Sequence, residues 1–445
     1  MSDETADHGT KAGKPDMVRI DVRSVLVLIM TLGTVALVGL LVSAMLGQPF
    51  EPNDDLIWFT KLRRQSFSEL PFSAAWMLSS PFYRPFAEIV LKGMYVLFGM
   101  DLAAYRMVQF FCFLALSWLG YIVVRQLRLP TELVLVLMCF CLGSPFLIGS
   151  IVWISELPHV VIVICFAAAL TVILSGLTDN TKLALCGLAY SVAVLSKENG
   201  LALALFYVYF VPSVPLRAAL VFGSITAGYL LLRVIVLGPS IGAGGVNESV
   251  GYLFDYLSQA EREAIFPGNQ IYKLYLYNVA AQIGALLFRI AQWGTLVSHI
   301  TGQVVIHCAS TALIAAALIH RLKHRTMPRW LVILLLTIFG GTFFSYSYAR
   351  DRHLALPAFA YGVLLIICCA EIGQRARAAA TSSILMFIVW TGWTALAYRN
   401  VMGLPRSSIE IIEKSYRPIP DVQNPQVAPD IWISARRQAL EIADH

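Results

Sequence analysis

The sequence predicts an all-α protein that crosses a membrane about eleven times. Hydrophobic residues make up 58% of the 445 residues and charged residues only 13%, whereas soluble proteins carry about 25% charged residues. The mean hydropathy is +0.70, and apolar runs long enough to span a bilayer recur along the chain. Such runs are expected to be helical, because a helix satisfies its backbone hydrogen bonds within one segment and lipid offers no partners.

The predicted spans follow from these apolar runs. The first run comes after a polar segment, 1–23, that lacks the pattern of a cleavable signal, so we expect a permanent first helix. Two further runs, 86–100 and 272–298, are expected to lie at the membrane surface, because the first is short and the second is amphipathic. The predicted spans are 24–46, 105–124, 131–151, 157–177, 183–195, 200–211, 218–237, 303–320, 330–348, 354–370 and 380–398.

The distribution of charge between the loops predicts three parts: a cytoplasmic tail, 1–23, a polytopic membrane domain, 24–398, and an outer C-terminal tail, 399–445. Most basic loop residues fall on the side of the N-terminus, and the positive-inside rule makes that side cytoplasmic. The outer side then receives a long first loop, 47–104, that bears the interfacial helices, and a later loop, 238–275. The net charge of +6 is not gathered in one block, so we expect no nucleic-acid partner.

The first outer loop carries two candidate functional motifs. Asp54 and Asp55 follow the first span directly, where a carboxylate pair suits a general base or a divalent cation. The same acids equally suit the N-cap of a helix that begins near Leu56. Arg84-Pro85 ends the polar part of the loop. Its guanidinium suits a lipid phosphate, and an ordinary interfacial anchor is the other interpretation.

The end of the third predicted span carries an acid and a histidine. Glu156 and His159 are three residues apart, so on a helical turn they share a face and both can reach one metal ion. With Asp55 they form a candidate set of ligands for a divalent cation. A Glu-x-x-His pattern also occurs often by chance, in which case these side chains bind no metal.

Ser196-Lys197-Glu198-Asn199-Gly200 interrupts the middle of the chain. The motif separates apolar runs of 13 and 12 residues, each of which covers only about 20 Å as a helix. A bilayer core is about 30 Å thick, so Lys197 and Glu198 should lie below the outer surface, in a wet vestibule. Charged residues at that depth are functional or paired with each other, and we expect a functional role.

A late outer turn concentrates positive charge. Arg350, Arg352 and His353 lie within four residues between two strongly apolar helices. Their combined charge predicts an anion site. The alternative is a charged helix end that keeps the hairpin from sinking into the membrane.

Taken together and in order, these motifs resemble the membrane-embedded C-type glycosyltransferases (GT-C), which take a sugar from a polyprenyl-phosphate carrier. The nearest likenesses are the protein O-mannosyltransferases, the tetratricopeptide-containing O-mannosyltransferases and the aminoarabinose transferases, over about 24–365. Two departures leave the acceptor class open: Asp351 stands where a Glu is usual, and Ala355 stands where a tyrosine is expected. The matching motifs are Asp54-Asp55, Arg84-Pro85, Glu156, Ser-Lys-Glu-Asn-Gly at 196–200, and Asp351-Arg352 followed by Leu-Ala-Leu-Pro at 354–357.

The resemblance implies an inverting transfer of a sugar from an undecaprenyl- or dolichyl-phosphate type of donor to a lipid, glycan or protein acceptor. It implies a multi-pass protein of the plasma (inner) membrane with its site on the periplasmic side. It assigns Asp54 as catalytic base or metal anchor, supported by Asp55, and Arg84 and Arg352 as contacts to the carrier phosphate. The remaining predicted substrate-binding residues are Glu156, Lys197, Glu198 and Arg350.

A protein of a different class is the main alternative. Broken short helices and buried charges also suit a transporter or flippase of an anionic lipid or solute. Transporters usually show internal duplication with symmetric broken segments, and the sequence shows neither. A long asymmetric first loop that bears acids favours the enzyme.

Overall fold

The computed structural model describes residues 21–52, 54–72, 75–77, 80–237, 258–292, 295–345, 350–375, 379–417 and 427–444. These residues are almost entirely helical. The α-helices are α1 Val22–Leu46, α2 Asp55–Arg64, α3 Pro85–Phe98, α4 Leu102–Gln126, α5 Leu133–Gly143, α6 Pro145–Val152, α7 Leu157–Leu174, α8 Asp179–Ser196, α9 Tyr207–Phe210, α10 Pro215–Leu237, α11 Gln259–Ile265, α12 Ile271–Phe288, α13 Gly302–Lys323, α14 Arg329–Gly340, α15 Ala355–Arg375, α16 Ala379–Ile411 and α17 Pro429–Asp444.

Short irregular elements join the helices. The strands β1 Ala75–Met77 and β2 Ser80–Phe82 form one antiparallel pair, and β3 Ala291–Gln292 and β4 Thr295–Leu296 form another. The 3-10 helices are Leu70–Phe72, Ile154–Glu156, Glu198–Phe206, Gly268–Gln270, Phe343–Ser345 and Asp351–Leu354, and a π-helical turn covers Ile412–Tyr416.

Long apolar helices confirm the predicted class of polytopic membrane protein. Within the described residues, six helical segments are long and apolar enough to cross a membrane. A seventh span results if the bent pair α5–α6 counts as one. The figure of eleven is not established by length and composition, and it stays a prediction. The six segments are Val22–Leu46, Leu102–Gln126, Ile154–Leu174, Pro215–Leu237, Gly302–Lys323 and Asp351–Gln374.

The predicted span over 131–151 is broken by a bend in the structure. The chain bends by 78° between α5 and α6. Pro145 is the cause, because its ring disfavours helical backbone at the preceding residue and its nitrogen donates no hydrogen bond. Ser144 accordingly has an extended backbone, with ψ of 119°. The bend directs α6 towards the turn that carries Glu156.

The predicted break at 196–200 is present. Helix α8 ends at Ser196, Lys197 is extended, and a 3-10 helix begins at Glu198. Gly200 makes the fold-back possible, since a Cβ at this position would lie 2.3 Å from the carbonyl oxygen of Ala193. A residue with a side chain would therefore force the two segments apart.

The predicted first loop, 47–104, contains α2 and α3, and their position at the membrane surface stays a prediction. Helix α3 has 14 residues and covers about 21 Å, less than the apolar core of a bilayer. The predicted later loop, 238–275, lies in part outside the described residues, which resume at Ser258. The predicted tail boundary at 399 falls within α16, which continues to Ile411.

The C-terminal residues and the first loop share one apolar core. The hydroxyl of Tyr416 donates to the carbonyl of Phe50 at 2.8 Å, and Trp432 of α17 stacks on the Tyr416 ring with centroids 5.3 Å apart. The backbone nitrogen of Ala428 donates to the hydroxyl of Thr60 on α2 at 2.9 Å. The tail therefore holds α2, the helix that begins with the acidic pair.

We predict that Trp432→Ala destabilises this joint core. Trp432 is 1% exposed, and truncating a buried tryptophan typically costs about 3–5 kcal/mol. Ile433→Ala on the same helix is the matched control, because Ile433 is 55% exposed and surface changes usually stay within about 0.5 kcal/mol. Unfolding of the two variants in detergent measures the difference. Equal effects of both substitutions would contradict the packing of α17 on the first loop.

Candidate active site

Three of the predicted residues meet although they lie far apart in the sequence. Nη1 of Arg352 lies 2.6 Å from Oε1 of Glu156, and Nη2 of Arg352 lies 3.7 Å from Oδ2 of Asp54. Asp54 precedes α2, Glu156 precedes α7 and Arg352 precedes α15. The same end of the bundle therefore collects the first loop, the turn after α6 and the turn before α15.

The carboxylate of Asp54 does not cap α2. Its side chain makes no capping hydrogen bond. Its backbone nitrogen instead donates to Oε2 of Glu51, and the backbone nitrogen of Glu51 donates to Oδ2 of Asp55 at 2.9 Å. This reciprocal pair orders the helix start and leaves the Asp54 carboxylate directed at Arg352. The alternative role of a helix cap therefore does not apply to the Asp54 side chain, and Asn53 lies outside the described residues.

Asp55 ties the first loop to the turn that carries Glu156. Asp55 is 2% exposed, and its Oδ1 accepts a hydrogen bond from the backbone nitrogen of Ser155 at 2.9 Å. Burial raises the pKa of Asp55 from 3.8 to about 6, against the lowering effect of its backbone donors. With both oxygens occupied by backbone groups, Asp55 positions Asp54 and Glu156 and does not face the space beside Arg352.

The cluster extends into the protein interior through three buried side chains, those of Lys197, His159 and Glu156. Nζ of Lys197 lies 2.6 Å from Nε2 of His159, and Oε2 of Glu156 lies 3.1 Å from the same nitrogen. The His159 ring stacks on the ring of His353, with centroids 5.4 Å apart. Lys197 is only 5% exposed, and its depth in the membrane stays a prediction. The break after α8 thus brings the amino group of Lys197 close to His159 and Glu156.

Arg84 and Glu198 form a second ion pair of the cluster. Nη2 of Arg84 lies 3.1 Å from Oε1 of Glu198. Arg84 is 6% exposed, so the structure places it inside the protein and not among the anchors at its surface. Pro85 starts α3 directly after it, a position where proline is favoured because its missing N–H is not needed.

The turn before α15 is held by an ion pair with Arg289, which directly follows α12. Both terminal nitrogens of Arg289 donate to the carboxylate of Asp351, at 2.9 and 2.8 Å. The guanidinium of Arg289 also lies 5.2 Å from the ring centroid of Phe146. Arg350, partly buried, adds its charge near Asp54. This bidentate clamp holds Asp351, the neighbour of Arg352, in place.

Sequence reasoning missed Arg106. It is 2% exposed and donates to the carbonyls of Gln48 and Pro49, at 2.9 and 2.8 Å, and to that of Val152. Arg106 thereby joins the end of α1 to the end of α6, beneath the acidic pair. An arginine inside an apolar run is itself the signal that points to such a role.

The predicted metal ligands do not form a ligand group. In the part of the chain that the structure describes, no three or more His, Cys, Asp or Glu side chains could hold a metal ion together. Asp55 faces backbone donors, while Glu156 contacts Arg352 and His159. A divalent cation at Asp55, Glu156 and His159 therefore stays a prediction from the sequence alone.

The overall fold is similar to that of a membrane transferase of known structure. The structure of the aminoarabinose transferase ArnT from Cupriavidus metallidurans bound to undecaprenyl phosphate matches with a TM-score of 0.52 at 12% identity. The match covers 95% of this chain and 88% of that chain. The same transferase in the apo state gives 0.51 at 14% identity, over 94% and 85%. No family model and no curated protein matches the sequence.

We predict that Asp55 makes the stability depend on pH. A carboxyl whose pKa is raised by folding, here from 3.8 to about 6, favours the folded state while protonated. Its contribution to the free energy of unfolding is present below about pH 4 and is lost as the pH rises through about 6. The loss is up to about 3 kcal/mol, because a tenfold change in proton affinity corresponds to about 1.4 kcal/mol.

Unfolding of wild type and Asp55→Asn in detergent between pH 4 and 8 measures this dependence. The difference in stability, wild type minus variant, should fall with rising pH and level off above about pH 6 to 7. A difference that stays constant over the whole range would contradict the burial of an ionising Asp55.

Proposed function

We propose that the protein is an integral membrane glycosyltransferase that moves a sugar from a polyprenyl-phosphate donor to an acceptor. The observation that carries the proposal is a carboxylate, Asp54, next to Arg352 at the end of the bundle where Arg84 and Lys197 also lie. The fold supports it, since a transferase of the same fold was solved bound to undecaprenyl phosphate. The transporter alternative has no comparable support from an observation of this structure.

The acid and the basic residues have separate roles in an inverting displacement. Asp54 takes the proton of an acceptor hydroxyl or amine as that atom bonds to the anomeric carbon. The bond between this carbon and the phosphate oxygen breaks on the opposite face, and the electron pair leaves with the phosphate. Arg84, Arg352 and Lys197 then stabilise the charge that the phosphate gains. Cations suit this purpose best where water is scarce, as around the buried side chains of Arg84 and Lys197.

Arg352 links the binding of the donor phosphate to the basicity of Asp54. Burial raises the pKa of Asp54 above its ordinary value, whereas the charge of Arg352 lowers it. When a donor phosphate attracts Arg352, Asp54 loses part of its cationic partner and becomes a stronger base. Glu156, at 2.6 Å from Arg352, limits how far the guanidinium moves. The base is therefore strongest when the donor is present.

The surroundings of the site suit a carrier that stays in the membrane. A polyprenyl phosphate keeps its chain in the apolar core and its head group at the level of the membrane surface. The orientation predicted from the loops puts the site on the outer, periplasmic side of the inner membrane. The acceptor is then a lipid, glycan or protein that reaches this side.

We predict that Asp54→Asn removes nearly all turnover, since general-base catalysis contributes about 10²–10⁴-fold. Donor binding should persist, because the substitution keeps the shape of the side chain. Asp430→Asn is the control, because Asp430 lies on the exposed part of α17. Release of sugar from a polyprenyl-phosphate donor by the purified protein measures turnover. Normal turnover in Asp54→Asn would exclude Asp54 as the base, and a loss confined to Asp55→Asn would identify the other carboxylate.

We predict that Arg84→Lys and Arg352→Lys each weaken donor use although the charge is retained. A guanidinium binds two phosphate oxygens in parallel, and an ammonium group does not. The loss should be larger in kcat than in donor binding, because the leaving phosphate gains charge in the transition state. Donor-saturation kinetics on membrane-inserted variants measure both. Values of kcat and KM equal to those of wild type in both variants would place the phosphate elsewhere.

A further inference from the structure

Glu198 pairs with Arg84 and lies close to two further basic residues. Its Oε1 lies 3.1 Å from Nη2 of Arg84. Its charge also interacts with those of Lys197, its neighbour in the chain, and Arg233 of α10. Glu198 therefore lies where several basic groups attract an anion.

The basic groups around Glu198 also suit the substrate. A phosphate diester, like a carboxylate, spreads one negative charge over two oxygens. A phosphate monoester, which the reaction leaves behind, carries between one and two negative charges near neutral pH. Basic groups hold such a product more strongly than the donor, so a carboxylate that competes for Arg84 promotes its release.

The contact between Arg84 and Glu198 has the geometry of an exchangeable pair. Only Oε1 of Glu198 engages the guanidinium, and Oε2 has no hydrogen-bond partner in the described chain. The clamp between Arg289 and Asp351 is bidentate by comparison, which is the stronger arrangement. The Glu198 side chain is 18% exposed and that of Arg84 8%, so Glu198 is the more accessible member of the pair.

We propose that Glu198 is an internal substitute for the donor phosphate. Its carboxylate pairs with Arg84 in the empty site, gives way when the phosphate arrives, and returns to displace the polyprenyl phosphate after transfer. This role rests on the proposed function and refines it: Glu198 determines how fast the product leaves and does not bind the sugar. It differs from the sequence prediction, which placed Glu198 among the residues that bind substrate.

The test compares wild type with Glu198→Gln, which keeps the shape of the side chain and removes its charge. The probe is a short-chain polyprenyl phosphate without a sugar, titrated into the purified protein in detergent. Without the competing carboxylate, the probe should bind at least about tenfold more tightly, which corresponds to about 1.4 kcal/mol. With a complete donor, kcat and KM should both fall, because release becomes slower while binding becomes tighter.

Two further variants complete the test. Glu413→Gln, which removes an exposed partner of Arg417 on the C-terminal tail, is the matched control and should leave the affinity unchanged. Glu198→Asp retains the charge on a side chain one methylene shorter, so it should raise the affinity for the probe less than Glu198→Gln. This second substitution also decides the question if Glu198→Gln does not fold.

Two results would overturn the proposal in different ways. Unchanged or weaker binding of the probe by Glu198→Gln, or by Glu198→Asp where only that variant folds, would mean that Glu198 does not compete with the phosphate. A wild-type protein that does not bind the probe would contradict the proposed function itself. Tighter binding by the variant, with lower kcat and KM, is the result that only a competing carboxylate produces.

Discussion

The ion pair between Arg352 and Glu156 is the interaction on which the arrangement of the site depends. It joins the turn after α6 to the turn before α15, at 2.6 Å, and Asp54 approaches it from the first loop. Removing one member of a buried ion pair typically costs about 3–5 kcal/mol, because the other charge is left without compensation. Charges at the end of an apolar bundle therefore have to be paired, and this pairing brings distant parts of the chain together.

The same constraint explains why the basic residues of the site lie close to acids. Arg84 contacts Glu198, Arg289 contacts Asp351, and Lys197 contacts His159 beside Glu156. An empty site with this many unpaired cations would be unstable in a medium of low dielectric. Pairing also prepares the site for an anionic substrate, because a phosphate can replace a carboxylate without exposing a bare charge.

Much of this site could be predicted because each motif breaks an apolar pattern. Asp54, Arg84, Glu156, Lys197 and Arg352 all lie at or beside helix ends, and charged residues stand out there. The predicted crossings put them on one side, and the structure brings them to one end of the bundle. What the sequence could not provide is which cation meets which acid, because this depends on packing between segments up to about 300 residues apart.

The missed features have physical causes of the same kind. Arg106 was hidden within an apolar run, and its role follows from the carbonyls of Gln48, Pro49 and Val152 that only the folded chain brings to it. The bend at Pro145 was overlooked because hydropathy does not register a proline inside an apolar run. The tail and the first loop share one core through contacts between residues more than 350 positions apart in the sequence. No local pattern encodes such contacts.

A structure of the protein with a bound donor analogue is the decisive test of the proposed site. The analogue is a polyprenyl phosphodiester whose linkage resists cleavage. We expect its phosphate within hydrogen-bond distance of both Arg84 and Arg352, with the anomeric carbon on the side of Asp54 and the Glu198 carboxylate moved away from Arg84. A phosphate bound at the opposite end of the bundle, or out of reach of both arginines, would contradict it.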